Sequence, residues 1–157
     1  MSHQKLFSGQ LPTRLVIGLV SNAAFNGAFD RNPFNCHHYN LMDISVYSDG
    51  QQQYGIKPLT TDFANELYVR AYNTLFSGTG KVFKDGLDRN SFSKGYAYLT
   101  HDLGQDDHFN FTKQGSVRLV LKFSDALNEN VTVTAYAEFQ NVIEIDRNRN
   151  VIYDFAV

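Results

Sequence analysis

The chain of 157 residues has one cysteine, three prolines and no tryptophan. A single cysteine excludes an internal disulfide, so the chain is not one of the disulfide-stapled small secreted domains. Three prolines leave little room for a proline-rich linker, and no repeat or low-complexity tract is visible. We therefore expect one domain spanning 1–157, large enough to bury its own core.

Charge of either sign is also scarce. Fourteen Lys and Arg residues face sixteen Asp and Glu residues, which gives a net charge of −2, and no stretch is strongly basic. A nucleic-acid-binding protein normally carries a basic stripe, so that class has no support here. The apolar run "LVIGLV" is far too short to cross a membrane, and "MSHQKLFSGQLP" lacks the apolar core of a signal peptide. We expect no nucleic acid, no membrane and no signal peptide.

Short stretches that alternate apolar and polar residues make up most of the chain, and clusters of Gly, Asn and Asp separate them. This period of two is typical of β-strands. In the first stretch, Leu15, Ile17 and Leu19 fall on one face and apolar Val16 and Val20 on the other, which predicts a strand buried on both sides. The predicted strands are 13–20, 39–52, 54–59, 95–103, 116–123, 130–139, 141–146 and 151–155.

One segment breaks this pattern. Apolar residues recur every four positions from Phe63 to Leu75, which predicts one amphipathic helix near 61–76, inserted between strands. Thr61 or Asp62 is suited to cap its start, and Gly78 to end it. About eight strands with one helical insertion predict an all-β sandwich, and the long loops between short strands favour a jelly roll.

The segment "NPFNCHHYN" concentrates reactive side chains, because Cys36, His37 and His38 are adjacent in it. Neighbouring side chains on an extended chain point in opposite directions, so these residues cannot easily share a metal. A zinc site would also need a second pair of ligands, which His101 and His108 could supply, but their spacing does not indicate a site. A Cys–His nucleophilic pair needs a positioned base, which the sequence does not show. We therefore predict a structural loop.

Two further segments contain residue types found in ligand sites. "HDLGQDDH" (101–108) gathers acidic residues and histidines but lacks the alternating order of a calcium loop. "SGTGK" (77–81) lacks the spacing of a phosphate-binding loop and follows the predicted helix. We expect no enzyme activity, no catalytic residue, no cofactor and no metal ligand.

A resemblance to a known group covers nearly the whole chain, from Leu6 to Ala156. The chain resembles the double jelly-roll major-capsid-type proteins of Polinton/Maverick elements and their adintovirus-like relatives, in which this region lies at the C-terminal end. The strings that carry the resemblance are "GQLPTRLVIGLVSNAAFNGAFDRNPFNCHHYNLMDISVYSDGQQ", "YVRAYNTLFSGTGK", "KQGSVRLVLKF" and "VTAYAEFQNVIEIDRNRNVIYDF".

The resemblance implies a structural, self-associating jelly-roll domain of a virus or an integrated virus-like element. Its partner would be another copy or a sister jelly-roll domain, with a homotrimer in the full-length protein. Its location would be the virion, assembled inside the host cell. The chain is shorter than the relatives, so it is either a fragment of a two-jelly-roll protein or a stand-alone jelly roll.

The resemblance also implies where contacts would lie. The run from Phe25 to Tyr39 would be the long connection after a strand, and its aromatic residues would cover the core or a neighbouring subunit. The candidate interface residues are Phe25, Phe29, Phe34, His38 and Tyr39. The alternative is a non-catalytic binding module for a carbohydrate or protein ligand, either viral or domesticated by a host, with exposed tyrosines and the loop 104–115 as its contact surface.

Overall fold

A computed structural model describes residues 2–48, 50–52, 58–80, 86–103, 114–139 and 143–153 of the chain. Strands dominate these residues. They are β1 (Ser2–Gln10), β2 (Arg14–Ser21), β3 (Leu41–Ser48), β4 (Gln51–Gln52), β5 (Leu59–Thr60), β6 (Leu99–Asp102), β7 (Gln114–Phe123), β8 (Val131–Glu138), β9 (Ile143–Ile145) and β10 (Val151–Tyr153). The helices are α1 (Asn22–Phe25), α2 (Val69–Gly78) and α3 (Arg89–Ser93).

The strands form two main antiparallel sheets. In the larger sheet β7 lies between β1 and β3, and both β4 and β5 pair with the other side of β3. In the smaller sheet β2 lies between β6 and β8, while β9 and β10 form a separate hairpin. Side chains of both sheets, such as Leu15 of β2 and Ile44 of β3, share one core cluster. The prediction of an all-β sandwich is confirmed.

The strands pair in a nested order along the chain. The first strand pairs with the seventh, the second with the sixth and the third with the fifth. Nested pairs of this kind, divided between two sheets, are the connectivity of a jelly roll. β8 then adds to the remaining side of β2, in register from Arg14↔Glu138 to Ser21↔Val131.

β2 is central to the core. Leu15 and Ile17 are fully buried on the face toward the larger sheet, and Val20 on the opposite face is equally buried. Val16 is half-buried. The prediction that both faces of this strand are covered is therefore confirmed for most of its length.

The inserted helix is confirmed, but its predicted start is wrong. α2 begins at Val69, because the chain before it folds into a turn in which Asp62 and Leu67 exchange backbone hydrogen bonds of 3.1 and 2.7 Å. The Asp62 carboxylate also accepts a hydrogen bond of 3.0 Å from the backbone N–H of Asn65. Short polar side chains that bond nearby backbone groups compete with helix formation in this way.

Other parts of the chain differ from the sequence predictions. β1 was not predicted, because "SHQKLFSGQ" has only two adjacent apolar residues and no alternation. α3 lies in a segment expected to be loop, and Asp88 caps it by accepting a 2.6 Å bond from the Ser91 N–H. Most of the predicted strand 54–59 and of the loop 104–115 lies outside the described residues. Within the described residues, no helix is long and apolar enough to cross a membrane.

Candidate interaction surface

The connection between β2 and β3 begins with α1 and continues as a series of tight turns. Backbone hydrogen bonds join Gly27 to Ala24 at 3.1 Å and Ala28 to Ala23 at 3.0 Å. Further along, the Asn32 side chain accepts a 2.9 Å bond from the Phe34 N–H. These local bonds give an irregular segment a defined backbone course.

Three phenylalanines of this connection point into solvent. The relative exposure is 55% for Phe25, 110% for Phe29 and 74% for Phe34. We call residues 25–34 the aromatic loop. The structure thus excludes one of the two expected roles, since these rings do not cover the core. Exposed aromatic side chains grouped on one loop are typical of surfaces that bind another molecule.

A polar cluster ties the aromatic loop to the loop before β8. Arg31 Nη1 donates to Glu129 Oε2 at 2.7 Å and to Ser21 Oγ at 2.8 Å. The Ser21 hydroxyl donates to Glu129 Oε2 at 2.9 Å, and the Tyr39 hydroxyl donates to Glu129 Oε1 at 3.1 Å. The hydrogen bond from Arg31, followed by those from Ser21 and Tyr39, holds the pKa of Glu129 below its usual value. The network therefore favours an ionised Glu129 that holds three chain segments together.

Tyr39 lies in the turn that leads into β3. Tyr39 and Asn40 have φ angles of +46° and +51°, and the Leu41 N–H donates to the His38 carbonyl oxygen at 2.8 Å. Two successive positive φ angles with this bond correspond to a type I′ turn. A left-handed backbone is unfavourable for tyrosine, so the bond to Glu129 helps to keep it there. Burial, then the bond to Glu129, raises the pKa of Tyr39 to about 12.

His38 packs inside the domain. Its ring stacks on Phe63 with centroids 4.0 Å apart and an interplanar angle of 8°. Phe63 in turn stacks on Tyr68, which contacts Phe92 in the core. Burial, then the neighbouring His37, lowers the pKa of His38. Of the five candidate interface residues, His38 thus makes its ring contact within this chain.

Cys36 is a buried packing residue. Its N–H donates to the Gly95 carbonyl oxygen at 2.8 Å, and its carbonyl accepts from the Ala97 N–H at 3.1 Å. Its thiol hydrogen-bonds to Tyr98, and burial raises the pKa of Cys36. A raised pKa disfavours the thiolate that nucleophilic chemistry requires.

The side chains of "NPFNCHHYN" diverge, as the sequence indicated. Cys36 is buried, His37 is exposed and His38 is half-buried. Across the part of the chain that the structure describes, no group of three or more His, Cys, Asp or Glu residues is placed to hold a metal ion. His101 lies buried in β6, whereas His108 falls outside the described residues.

A cavity of about 240 Å³ opens between the ends of β3 and β7 and the turn before α2. Apolar side chains form part of its lining, and two aspartates also line it. Ligand pockets usually measure about 300–1,000 Å³, so this one suits a small group or a single side chain. The residues that define it are Leu41, Met42, Phe63, Asp62 and Asp125.

The sequence did not indicate the polar cluster. Arg31 and Glu129 are 98 positions apart, and each stands in a polar surrounding where a charged residue is unremarkable. Only the pairing of β2 with β8 brings the two loops together. The irregular spacing of the phenylalanines did indicate that this segment is a long connection between strands, whereas its role as an interface stays a prediction.

Comparison with known proteins finds a relative by sequence. No protein-family model matches the chain, and no solved structure matches it. The chain is 33% identical over 162 residues to an uncharacterized protein of Caenorhabditis elegans, a match that covers 97% of this chain and 38% of the relative. The chain therefore spans well under half the length of the relative that it matches.

Proposed function

We propose that the protein is a structural, self-associating jelly-roll domain of viral-capsid type, from a virus or an integrated virus-like element. The single observation that carries the proposal is the aromatic loop, which presents Phe25, Phe29 and Phe34 to solvent on a backbone fixed by turns. The jelly-roll connectivity and the resemblance stated above support the capsid assignment.

Exposure of three phenyl rings is unfavourable for an isolated domain. Each buried Å² of apolar surface contributes roughly 25 cal/mol, so covering one large aromatic side chain is worth about 2 kcal/mol. The polar cluster around Glu129 adds to this effect, because a loop that is already ordered loses little conformational entropy on binding. Such a loop is suited to an apolar contact with another copy or a sister jelly-roll domain.

The proposed location follows from the proposed role. A capsid-type domain acts in the virion and assembles inside the host cell, and its full-length form would be a homotrimer. The function needs no turnover and no cofactor.

The test compares oligomeric mass by size-exclusion chromatography with light scattering. The unaltered chain should elute as an oligomer whose mass rises with concentration. The triple variant Phe25→Ser, Phe29→Ser, Phe34→Ser should form smaller species, with an apparent dissociation constant at least tenfold higher than that of the unaltered chain. Leu67→Ser is the matched control, since Leu67 is 67% exposed outside the aromatic loop. An unaltered chain that stays monomeric at all concentrations would contradict the proposal.

A binding module is the second candidate, and the cavity beside β3 favours it. Asp125 lines this cavity together with the apolar side chains of Leu41 and Met42, which would suit a cationic or hydroxyl-bearing group. A monomeric chain that retains a glycan or a peptide, and loses it on Asp125→Ala, would support this role over assembly.

A further inference from the structure

The open edge of β8 carries a second inference, which rests on the proposed self-association. We propose that β8 pairs in antiparallel fashion with β8 of a second copy, so that the two smaller sheets join into one.

The other edge strands are poorly suited to pairing. β1 has a register shift between Lys5 and Phe7 and exposes the charged Lys5. β6 is four residues long, and β4 and β5 are two residues each. Bulges, lysines and short length are the usual means by which proteins prevent edge strands from associating.

β8 shows none of these protective features. It runs for eight residues in unbroken register with β2, and "VTVTAYA" (131–137) contains no charge, proline or glycine. No strand pairs with its other side in the described part of the chain. The inner row of Val131, Val133, Ala135 and Ala137 packs on the core but is only partly buried. An added strand would extend the sheet and cover this row.

The register shows which backbone groups are free. The Asn22 N–H donates to the Asn130 carbonyl oxygen at 2.9 Å, in line with the β2–β8 pairs. Hydrogen-bonded and non-hydrogen-bonded pairs alternate in an antiparallel ladder. Even-numbered residues of β8 therefore bond to β2, while Val133 and Ala135 direct their N–H and C=O groups to the open edge.

A second copy suits this edge because the strand is complementary to itself. Thr134 is the midpoint of the uncharged stretch, and a two-fold axis there pairs Val133 with Ala135 and Thr132 with Tyr136. Core-facing residues then meet core-facing residues, and each Glu138 falls outside the uncharged stretch. Antiparallel pairing of one strand with its own copy has the symmetry of a closed dimer.

The aromatic loop lies beside this edge. Glu129, which binds Arg31 of the loop, stands two residues before β8, and α1 packs against β8. The aromatic loop is therefore anchored near the start of β8, the strand along which a second copy would bind.

Engineered disulfides test the register. In a Cys36→Ala background, Thr134→Cys should place two thiols opposite each other at the axis, in a non-hydrogen-bonded pair with Cβ atoms about 4.5–5.5 Å apart. The matched control is Thr132→Cys, where the thiols would lie about 13 Å apart. We expect at least ten times more covalent dimer from Thr134→Cys on a non-reducing gel under mild oxidation. Equal yields from both variants would overturn the proposed pairing.

A proline variant tests the pairing without a crosslink. Ala135→Pro removes an N–H that points to the open edge and spares the bonds to β2. Tyr136→Lys is the second variant, since Tyr136 is 68% exposed. A lysine at this position would disfavour pairing of the edge strand with another strand. Circular dichroism should show that each variant is folded. The oligomeric mass of each folded variant should be half that of the unaltered chain.

The outcomes separate the two proposals. Unchanged mass in a folded edge variant, together with no selective crosslink, would overturn the β8 pairing and leave assembly through the aromatic loop standing. A chain that is monomeric in every form would contradict both proposals.

Discussion

At the scale of single residues, Gly18 explains the position of Cys36. A Cβ atom added at Gly18 would lie 2.8 Å from the Cys36 sulfur and 3.0 Å from Thr134 Oγ1. β2 thus needs glycine at this point so that the loop carrying Cys36 can pack closely against it. Close packing against β2 therefore accounts for the position of Cys36, the residue that stood out in the sequence for its reactivity.

Gly18→Ala should destabilise the fold by about 1–3 kcal/mol, because overpacking forces neighbouring atoms apart. Adding Cys36→Ala should restore part of that loss by making room for the new methyl group. Urea unfolding of the two single variants and the double variant measures the coupling between the sites. Strictly additive free energies would contradict this close contact.

His101 is a second residue whose environment determines its behaviour. It is 4% exposed, and its Nε2 atom has no hydrogen-bond partner among the residues that the structure describes. Burial, then the positive charge of Arg70, lowers the pKa of His101 to about 4. The fold therefore keeps this imidazole neutral at physiological pH.

This shift makes stability depend on pH. Between pH 6.5 and pH 4 the unfolded chain binds a proton at His101 that the folded chain does not. The contribution of His101 to the free energy of unfolding is therefore fully present above pH 6.5. It falls by on the order of 3 kcal/mol as the pH drops toward 4. His101→Leu should flatten this part of the curve, measured as urea midpoints at pH 7.5 and pH 4.5. Parallel curves for both proteins would contradict the assignment to His101.

At the scale of elements, the sequence was most informative where alternation was clean. β7 and β8 appear close to their predicted bounds, because core-facing apolar residues alternate with mostly polar residues along each strand. β1 was missed because its pairing with β7 is a long-range effect that leaves no local pattern. The start of α2 was missed because the Asp62 turn has the same apolar spacing as a helix.

Ile17→Asp tests the central element. Ile17 is fully buried in β2 between the two sheets, so an uncompensated carboxylate there should cost several kcal/mol and prevent folding. Tyr136→Asp is the control, because Tyr136 pairs with Val16 on the same sheet but is exposed. Circular dichroism should show a folded control and an unfolded Ile17→Asp protein. Cooperative unfolding of Ile17→Asp would contradict the register.

At the scale of the whole molecule, the all-β class and the layered core followed from composition and periodicity. The residues of the candidate interaction surface could be predicted only in part. The exposed phenylalanines were expected at a contact, but the cluster of Arg31 and Glu129 that fixes their loop depends on two segments far apart in sequence. Likewise, no local pattern shows that β8 would end at the edge of its sheet.

The central claim is that this domain associates with itself, and sedimentation equilibrium of the unaltered chain tests it most directly. Measured from 1 to 100 µM, the mass should rise above the 17.8 kDa of one chain and fit a reversible association. A mass that stays at 17.8 kDa over the whole range would contradict the account.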